Sequence, residues 1–319
     1  MQRKTAAAVV LDLFVVQLAL LILSSYYYGV RVLILALIAA GTCLALDAAC
    51  LHLRHRPIRA AHLDAVNTGL TLTLMMPAFV RYDTLIITCF AAIIIGKALF
   101  GGRANLLFPP AAVGYTFSIL AFGSELLQFP QPGTALSLGN QIDAACTISA
   151  SAQFNTNRMI NLTDKLLLGA FPGPMGTGCI LLLTVGAVIL IARRSVSIST
   201  LVSFLAQYLL VCVVTGADSA YGMKLLGCNM TLFGAMFLIS DQRIAPKSLG
   251  GILYGTLAGI LTLYLTTITD IEYAVVITAV LLSPLAQFLR TQSWQLEYAR
   301  RRQLYRRRRR EQEVEQHGD

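Results

Sequence analysis

Residues 96–115 read GKALFGGRANLLFPPAAVGY and interrupt a chain made otherwise of long apolar stretches. Pro109 and Pro110 in tandem remove two backbone donors and bar a regular helix through that point, while Gly101, Gly102 and Gly114 permit backbone geometries that other residues resist. In hydrocarbon, backbone of this kind survives only where protein shelters it. The run therefore predicts a polytopic protein whose broken helices pack around an internal site, not a row of simple anchors.

The rest of the chain agrees. With 56% hydrophobic and 13% charged residues and a mean hydropathy of +0.68, it carries more apolar surface than a soluble core absorbs. Ten intervals read as candidate spans, at about 7–24, 31–52, 65–80, 83–100, 111–129, 175–192, 197–215, 226–240, 249–268 and 273–290. Several fall short of the ~20 residues that cross a bilayer alone. The fold class is thus all-α and polytopic, with about ten transmembrane helices, some broken or re-entrant. The first apolar run is long and lacks a small-residue cleavage site, so it reads as a retained helix.

Orientation follows from charge, because Lys and Arg in short loops favour the cytoplasmic side. An even number of spans places Arg3, Lys4, Arg54, Arg56, Arg59, Arg103, Arg193, Arg194, Arg243, Lys247 and Arg290 on one face, together with the tail RRRQLYRRRRR at 300–310. The other face receives Arg31, Arg81, Arg158, Lys165 and Lys224. Both termini are therefore expected in the cytoplasm of a multi-pass membrane protein. Next to a span, the basic tail fits topology fixing and contact with anionic headgroups better than it fits nucleic acid.

Seven cysteines, at 43, 50, 89, 146, 179, 212 and 228, form no CxxC and no short-range cluster, which argues against an iron–sulfur or zinc centre held by this chain alone. Most lie in apolar spans, where cysteine packs as a small hydrophobe. His52, His55, His62 and His317 fall in cytoplasmic loops or the tail, so paired axial ligands for an embedded haem are lacking. An electron carrier on this chain would need little side-chain ligation. A flavin meets that condition, and a metal does not; no metal site is expected.

Two spans are alike. NTGLTLTLMMPA from Asn67 and NMTLFGAMFLISD from Asn229 begin with Asn, continue through Thr, Gly, Leu and Met, and stop at a helix breaker or a charge. They are the third and eighth spans, and an odd number per half inverts the second half relative to the first, an inverted five-plus-five repeat. Chance similarity between two apolar windows remains the other reading. The division expected is a first membrane repeat at 1–129, an extracytoplasmic loop at 130–174, a second repeat at 175–290 and a basic cytoplasmic tail at 291–319. A loop as long as 130–174 in a compact membrane protein is usually functional, and its Ser, Thr, Asn and Gln content suits phosphate or sugar hydroxyls as well as plain solvation.

Five ordered blocks, YYYGVRVLILAL, NTGLTLTLMMPA, GKALFGGRANLLFPPAAVGY, LLLGAFPGPMGTG and FLISDQRIAPKSLGGILYG, resemble the family of the D subunit of the Rnf ion-translocating ferredoxin:NAD oxidoreductase, homologous to the B subunit of the sodium-translocating NADH:quinone oxidoreductase. The resemblance implies a ten-helix protein of the bacterial cytoplasmic membrane with the five-plus-five repeat. It implies electron transport through FMN between flavoprotein and iron–sulfur partner subunits, coupled to movement of Na⁺ or H⁺. Such a subunit is not catalytic by itself. It further implies FMN joined by a phosphoester to a threonine of the long loop, in a pattern Asp-Ala-x-Ser-Ser/Gly-Ala-Thr. Here the stretch from Asp143 reads DAACTIS, with Cys146 at the first serine position, Thr147 next, Ile148 at the alanine and Ser149 at the acceptor. Ser149 is the candidate covalent acceptor, with Asp143 and Thr147 as neighbouring cofactor contacts. An unattached flavin, a second non-covalent flavin, or a structural subunit without flavin are the alternatives, and a solute transporter or channel on the same scaffold is the rival function. The block FPPAA also departs from the family's Phe-Asn-Pro-Ala, since Pro109 removes a side-chain amide and a backbone donor.

The remaining candidates are weighed by position. Asn67 opens one of the two similar spans, and Asp241 ends the other, where it serves as an ion ligand or flavin-ring contact or pairs with Arg243 or Lys247. Gly173 and Gly176, in LGAFPGPMGTG, offer backbone amides to a flavin phosphate or form a tight re-entrant turn. Lys97 is expected to snorkel to the interface. Asp47 is within reach of Arg54 one or two turns away, and Glu125 lies near a helix end.

Overall fold

The computed structural model describes residues 6–55, 63–100, 102, 106–133, 136, 138–139, 146–147, 149, 169–214, 227, 229–246, 249–269 and 272–292. Among the described residues the architecture is helical, with one short strand pair. Helices α1 (Ala6–Tyr28) and α2 (Arg31–Leu53) are joined by a turn at Gly29, whose φ of +79° is open to glycine at no steric cost. They are followed by α3 (Asp64–Met75), α4 (Tyr82–Ile93), which continues as a π-helical turn over Ile94–Ala98, and α5 (Pro110–Leu126). After the strands come α6 (Ile180–Ala192), α7 (Ile198–Val214), α8 (Thr231–Gly234), which continues as a second π-helical turn over Ala235–Ile239, α9 (Leu249–Thr269) and α10 (Ala274–Gln292).

Among the described residues, four helical stretches are long and apolar enough to cross a membrane: Ala7–Tyr28, Arg31–Leu53, Leu249–Thr267 and Ala274–Gln292. The chain is a multi-pass membrane protein. The shorter α3 is polar and buried instead: eleven of its twelve residues are buried, four of them Thr or Asn. At ~1.5 Å per residue α3 is little more than half as long as a hydrocarbon core is thick. It stops at Met76, where ψ swings to 161° ahead of Pro77.

Breaking α3 leaves carbonyls without helical partners, and the sequence supplies a buried cation for them. Arg31, 2% exposed at the start of α2, donates to the carbonyls of Ala78 (3.2 Å), Phe79 (3.1 Å) and Val80 (3.1 Å) and reaches Gly139 in the long loop. Its guanidinium also lies 5.0 Å from the Tyr82 ring centroid. Glu125 does a parallel task for α4, accepting from the Arg81 amide (3.0 Å) and the Thr84 hydroxyl (3.2 Å) at that helix's first turn. Strands β1 (Phe129–Pro130) and β2 (Cys146–Thr147) pair antiparallel, with Phe129 opposite Thr147.

Close helix seams use small residues, as membrane packing requires. A Cβ on Gly69 of α3 would lie 2.6 Å from the Ala39 carbonyl of α2, and one on Gly114 of α5 would lie 2.7 Å from Ala92 of α4. Along α9, Gly251, Gly255 and Gly259 face the Ser199–Tyr208 side of α7, where a Cβ on Gly255 would meet the Thr200 carbonyl at 2.5 Å. Gly255→Leu is accordingly expected to cost at least about 1–3 kcal/mol and lower the thermal midpoint in detergent by several degrees. Gly41→Ala, at a site with nothing within 4 Å, should leave the midpoint unchanged or raise it.

Candidate functional site

The prolines that end the glycine-rich run start α5. Pro109 is extended (φ −65°, ψ 116°), and Pro110 takes the first helical turn, where a missing amide costs nothing. This brings Pro109, Pro110 and Ala111 against α1, α3 and the end of the second π-helical turn. Together they bound a narrow cleft lined by Leu13, Gln17, Asn67, Thr68, Thr71, Phe237, Leu238, Asp241 and Arg243. The space enclosed between these walls is small, about 20 Å³, room for a water molecule.

Hydrogen-bond direction fixes what the cleft offers. The Asn67 amide NH₂ donates to the Val10 carbonyl (2.8 Å), so its oxygen is the free end. The Thr71 hydroxyl donates to the Asn67 carbonyl (2.7 Å) and so can only accept from the Gln17 NH₂ (2.7 Å). Gln17 and Asn67 are 1% and 4% exposed, and their amide oxygens have no hydrogen-bond partner among the described residues. A buried acceptor left this way costs about 1–3 kcal/mol. The pair is set to receive a donor.

A chain of buried charges runs from the cleft into the helices. Arg243 grips Asp241 with both Nε (2.9 Å) and Nη2 (2.5 Å), and its Nη1 binds Asp64 at the first turn of α3. Lys97 stands 3.9 Å from Asp64 and 2.9 Å from Asp47 on α2. Among the described residues, three carboxylates thus face two cations. Burial alone would weaken the charge on Arg243, but Asp241 and Asp64 more than offset that, so its guanidinium is held firmly protonated.

Lys97 therefore does not snorkel; it is 2% exposed. The π-helical turn that holds it packs Gly96 against the Pro110 backbone, where a Cβ would lie 2.9 Å from the proline Cα, and directs the ammonium inward. Asp47 likewise pairs with Lys97 and not with Arg54, whose Nη2 caps the Ala98 carbonyl. Asp241 meets the Arg243 alternative and lines the cleft as well. Its strand-like bridge to Val196 and the Gln242 bonds to Arg194 and Val196 tie this turn to the α6–α7 connection.

Among the other sequence candidates, Asn67 and Asp241 share the cleft, and the rest of those that are described lie elsewhere. Gly176 sits in a 3₁₀ turn, Met175–Thr177, bound through the Met175 amide to Met76 (3.2 Å) and through its carbonyl to Ser24 (2.7 Å). A Cβ on Gly176 would lie 2.8 Å from both Leu74 and Phe233, so packing accounts for this glycine, and Gly173 lies against Phe171 and Thr177 in the same turn. Thr147 is on β2, its hydroxyl 3.4 Å from the Phe129 carbonyl. Asp143 lies outside the described residues. Ser149 is buried and hydrogen-bonded to Glu272, which sits in the turn between α9 and α10. Burial pushes the Glu272 carboxyl up to about 8, against the lowering effect of Ser149.

Asp64, Gln17 and Glu272 were not singled out from the sequence. Asp64 had a signal, an acid in the first turn of a polar helix three residues before Asn67. Gln17 had none beyond being an amide inside the first apolar run.

Broken helices meeting at a polar, charge-backed cleft, beside four long apolar helices, define a polytopic membrane protein. The chain belongs to the NQR2, RnfD, RnfE family, whose model matches residues 1–291. It is 29% identical over 262 residues to a protein of Pseudomonas aeruginosa (strain LESB58) that bears the name of the D subunit of an ion-translocating oxidoreductase complex, covering 75% of this chain and 76% of that one. Proteins of the same name from Halorhodospira halophila and Actinobacillus succinogenes are 27% and 25% identical, over 71% and 81% of this chain and 72% and 84% of theirs.

Proposed function

We propose that this chain is the D-type membrane component of an Rnf-type complex, passing electrons through flavin between flavoprotein and iron–sulfur partners while the assembly moves Na⁺ or H⁺. The observation that carries the flavin assignment is the pair of oriented, unpartnered amide oxygens of Gln17 and Asn67 in a cleft walled by Leu13, Pro109, Pro110 and Phe237. A flavin ring matches that donor set: its imide N–H can satisfy an amide oxygen, its faces suit the apolar walls, and Arg243 is the cation available to its carbonyl edge. The cleft is narrow, so entry of a ring requires Leu13 or Phe237 to swing aside. This is the non-covalent flavin of the two; Ser149 is the attachment point for FMN.

A bound flavin supplies a ring that takes up and releases electrons. The chain's own residues do the rest. Gln17 and Asn67 orient the ring, Arg243 opposes negative charge at it, and Asp64 and Asp241 keep Arg243 in place. The inverted five-plus-five repeat with ten spans and cytoplasmic termini in the bacterial inner membrane is part of the same reading. It is supported by the matching interruption of α3 and α8, the two segments that begin near Asn67 and Asn229. A transporter on this scaffold would not require a flavin-shaped donor set.

Purified protein in detergent should bind riboflavin, read as quenching of flavin fluorescence. Gln17→Leu or Asn67→Leu should weaken that binding about tenfold, as loss of ~1–1.5 kcal/mol for one hydrogen bond implies. Absence of flavin from the purified complex, with no riboflavin binding by the wild-type chain, rejects the assignment in favour of a transporter or a flavin-free structural component.

A further inference from the structure

Two of the seven cysteines meet across a helix seam. Cys43 of α2 and Cys89 of α4 are free thiols, both 0% exposed, and they are in hydrogen-bond contact with each other. The backbone places them independently. Cys89 Sγ lies 3.9 Å from the Ala39 carbonyl, one turn before Cys43 on α2, and a helical side chain leans over the turn N-terminal to its own Cα. Both sulfurs are thus brought to the same turn of α2. Filling that space needs only small apolar side chains; a second thiol facing the first adds chemistry that packing does not call for.

The surroundings suit oxidation from the lipid side. Leu44 and Phe90, the next residue of each helix, are 40% and 53% exposed on the surface that lipid covers, so the pair is closed to water and lies one side-chain layer from hydrocarbon. Asp47, one turn beyond Cys43, and Lys97, two turns beyond Cys89, form a buried ion pair whose charges both act on Cys43. Lys97 supplies a cation for the negative charge that develops on an attacking sulfur.

We propose that Cys43 and Cys89 are a modification site, oxidised to a disulfide by an apolar organic hydroperoxide dissolved in the membrane. The Cys43 sulfur attacks the peroxide, the O–O bond breaks, and one oxygen stays on sulfur as a sulfenic acid while the alkoxide leaves with the thiol proton as an alcohol. The Cys89 thiol then displaces that oxygen as water, and the S–S bond forms. Two thiols give up two electrons, and the hydroperoxide becomes one alcohol and one water. The bond draws the sulfurs from hydrogen-bond contact to ~2 Å. It closes a loop over residues 44–88, which carries α3 with Asp64 and Asn67, and it clamps α2 to α4 beside the Asp47–Lys97 pair.

The full chain in detergent is treated with cumene hydroperoxide or, in parallel, with oxidised glutathione as a polar oxidant. Remaining thiols are alkylated after denaturation, and the peptides are mapped by mass spectrometry. The hydroperoxide should give a cross-linked peptide joining Cys43 to Cys89, lighter by two hydrogen atoms than the two thiol peptides together, and glutathione should not. The thermal midpoint should rise by about 5 °C on cross-linking, because the closed loop restrains the unfolded chain. Cys43→Ala should leave Cys89 open to alkylation and remove the rise. Two alkylated thiols at Cys43 and Cys89 in the treated wild-type chain overturn the proposal, a result that depends on no variant folding. Cross-linking by glutathione as readily as by the hydroperoxide overturns the route through lipid, and a cross-link without the rise in midpoint rejects the clamp.

Discussion

Arg243→Met should destabilise the protein by about 3–5 kcal/mol, the penalty of removing one partner from a buried ion pair. The residue neutralises Asp64 and Asp241, whose side chains are 2% and 5% exposed. Without it the printed ion-pair partner nearest Asp64 is Lys97 at 3.9 Å, an ammonium that also pairs with Asp47 at 2.9 Å, and Asp241 keeps no ion-pair partner among the described residues. The Arg243 backbone carbonyl, which accepts from Arg290, survives the substitution, so the loss comes from the carboxylates and not from the anchoring of α10. The expected signature is a large fall in thermal midpoint with loss of riboflavin binding. The charge explanation makes a sharper demand: adding Asp64→Asn to Arg243→Met should recover part of the loss. A double variant no more stable than the single would mean that Arg243 acts by packing and not by charge. Lys97→Met should give a smaller fall, since Asp64 retains Arg243 and only Asp47 loses its closest cation.

The same residues show what was legible beforehand. Broken backbone was readable because proline and glycine act locally: Pro109–Pro110 opens α5, and the interruption near Pro77 closes α3, as their missing donors dictate. Asp241 with Arg243 was readable for the same reason, being two residues apart. Lys97 with Asp47 and Asp64 was not, because pairing across α2, α3 and α4 depends on which way a π-helical turn faces, and one inserted residue rotates that face. Snorkelling was the default for a lysine late in an apolar run, and tertiary charge overrode it. Gln17 was hidden by its setting, since its meaning comes from the direction of the Thr71 hydroxyl, fixed in turn by the Asn67 carbonyl. For Gly176 the residue type was informative but its cause was not: contact with Leu74 and Phe233 demands glycine there without any ligand.

Glu272 should make the wild-type protein lose stability as pH rises from about 4.5 to about 8. An acid whose folded pKa lies above its ordinary value of 4.5 binds more protons folded than unfolded throughout that window. Stability therefore falls with pH there, the reverse of the usual salt-bridged carboxylate. Below the window both states are protonated and nothing is lost; above it both are ionised and the penalty is complete. The gap between 4.5 and about 8 corresponds to a full penalty of roughly 4–5 kcal/mol. Glu272→Gln keeps the shape and carries no charge, so its midpoint should match wild type near pH 4.5 and exceed it by several degrees at pH 8.5, where Gln still offers Ser149 an acceptor. The Arg243 cluster is the same in both proteins, so the difference between them isolates Glu272. Parallel midpoint curves for wild type and Glu272→Gln from pH 4.5 to 9 would show that a cation or water reaches the carboxyl and that its burial is incomplete. Converging curves at low pH that part on the alkaline side would locate the proton on this side chain.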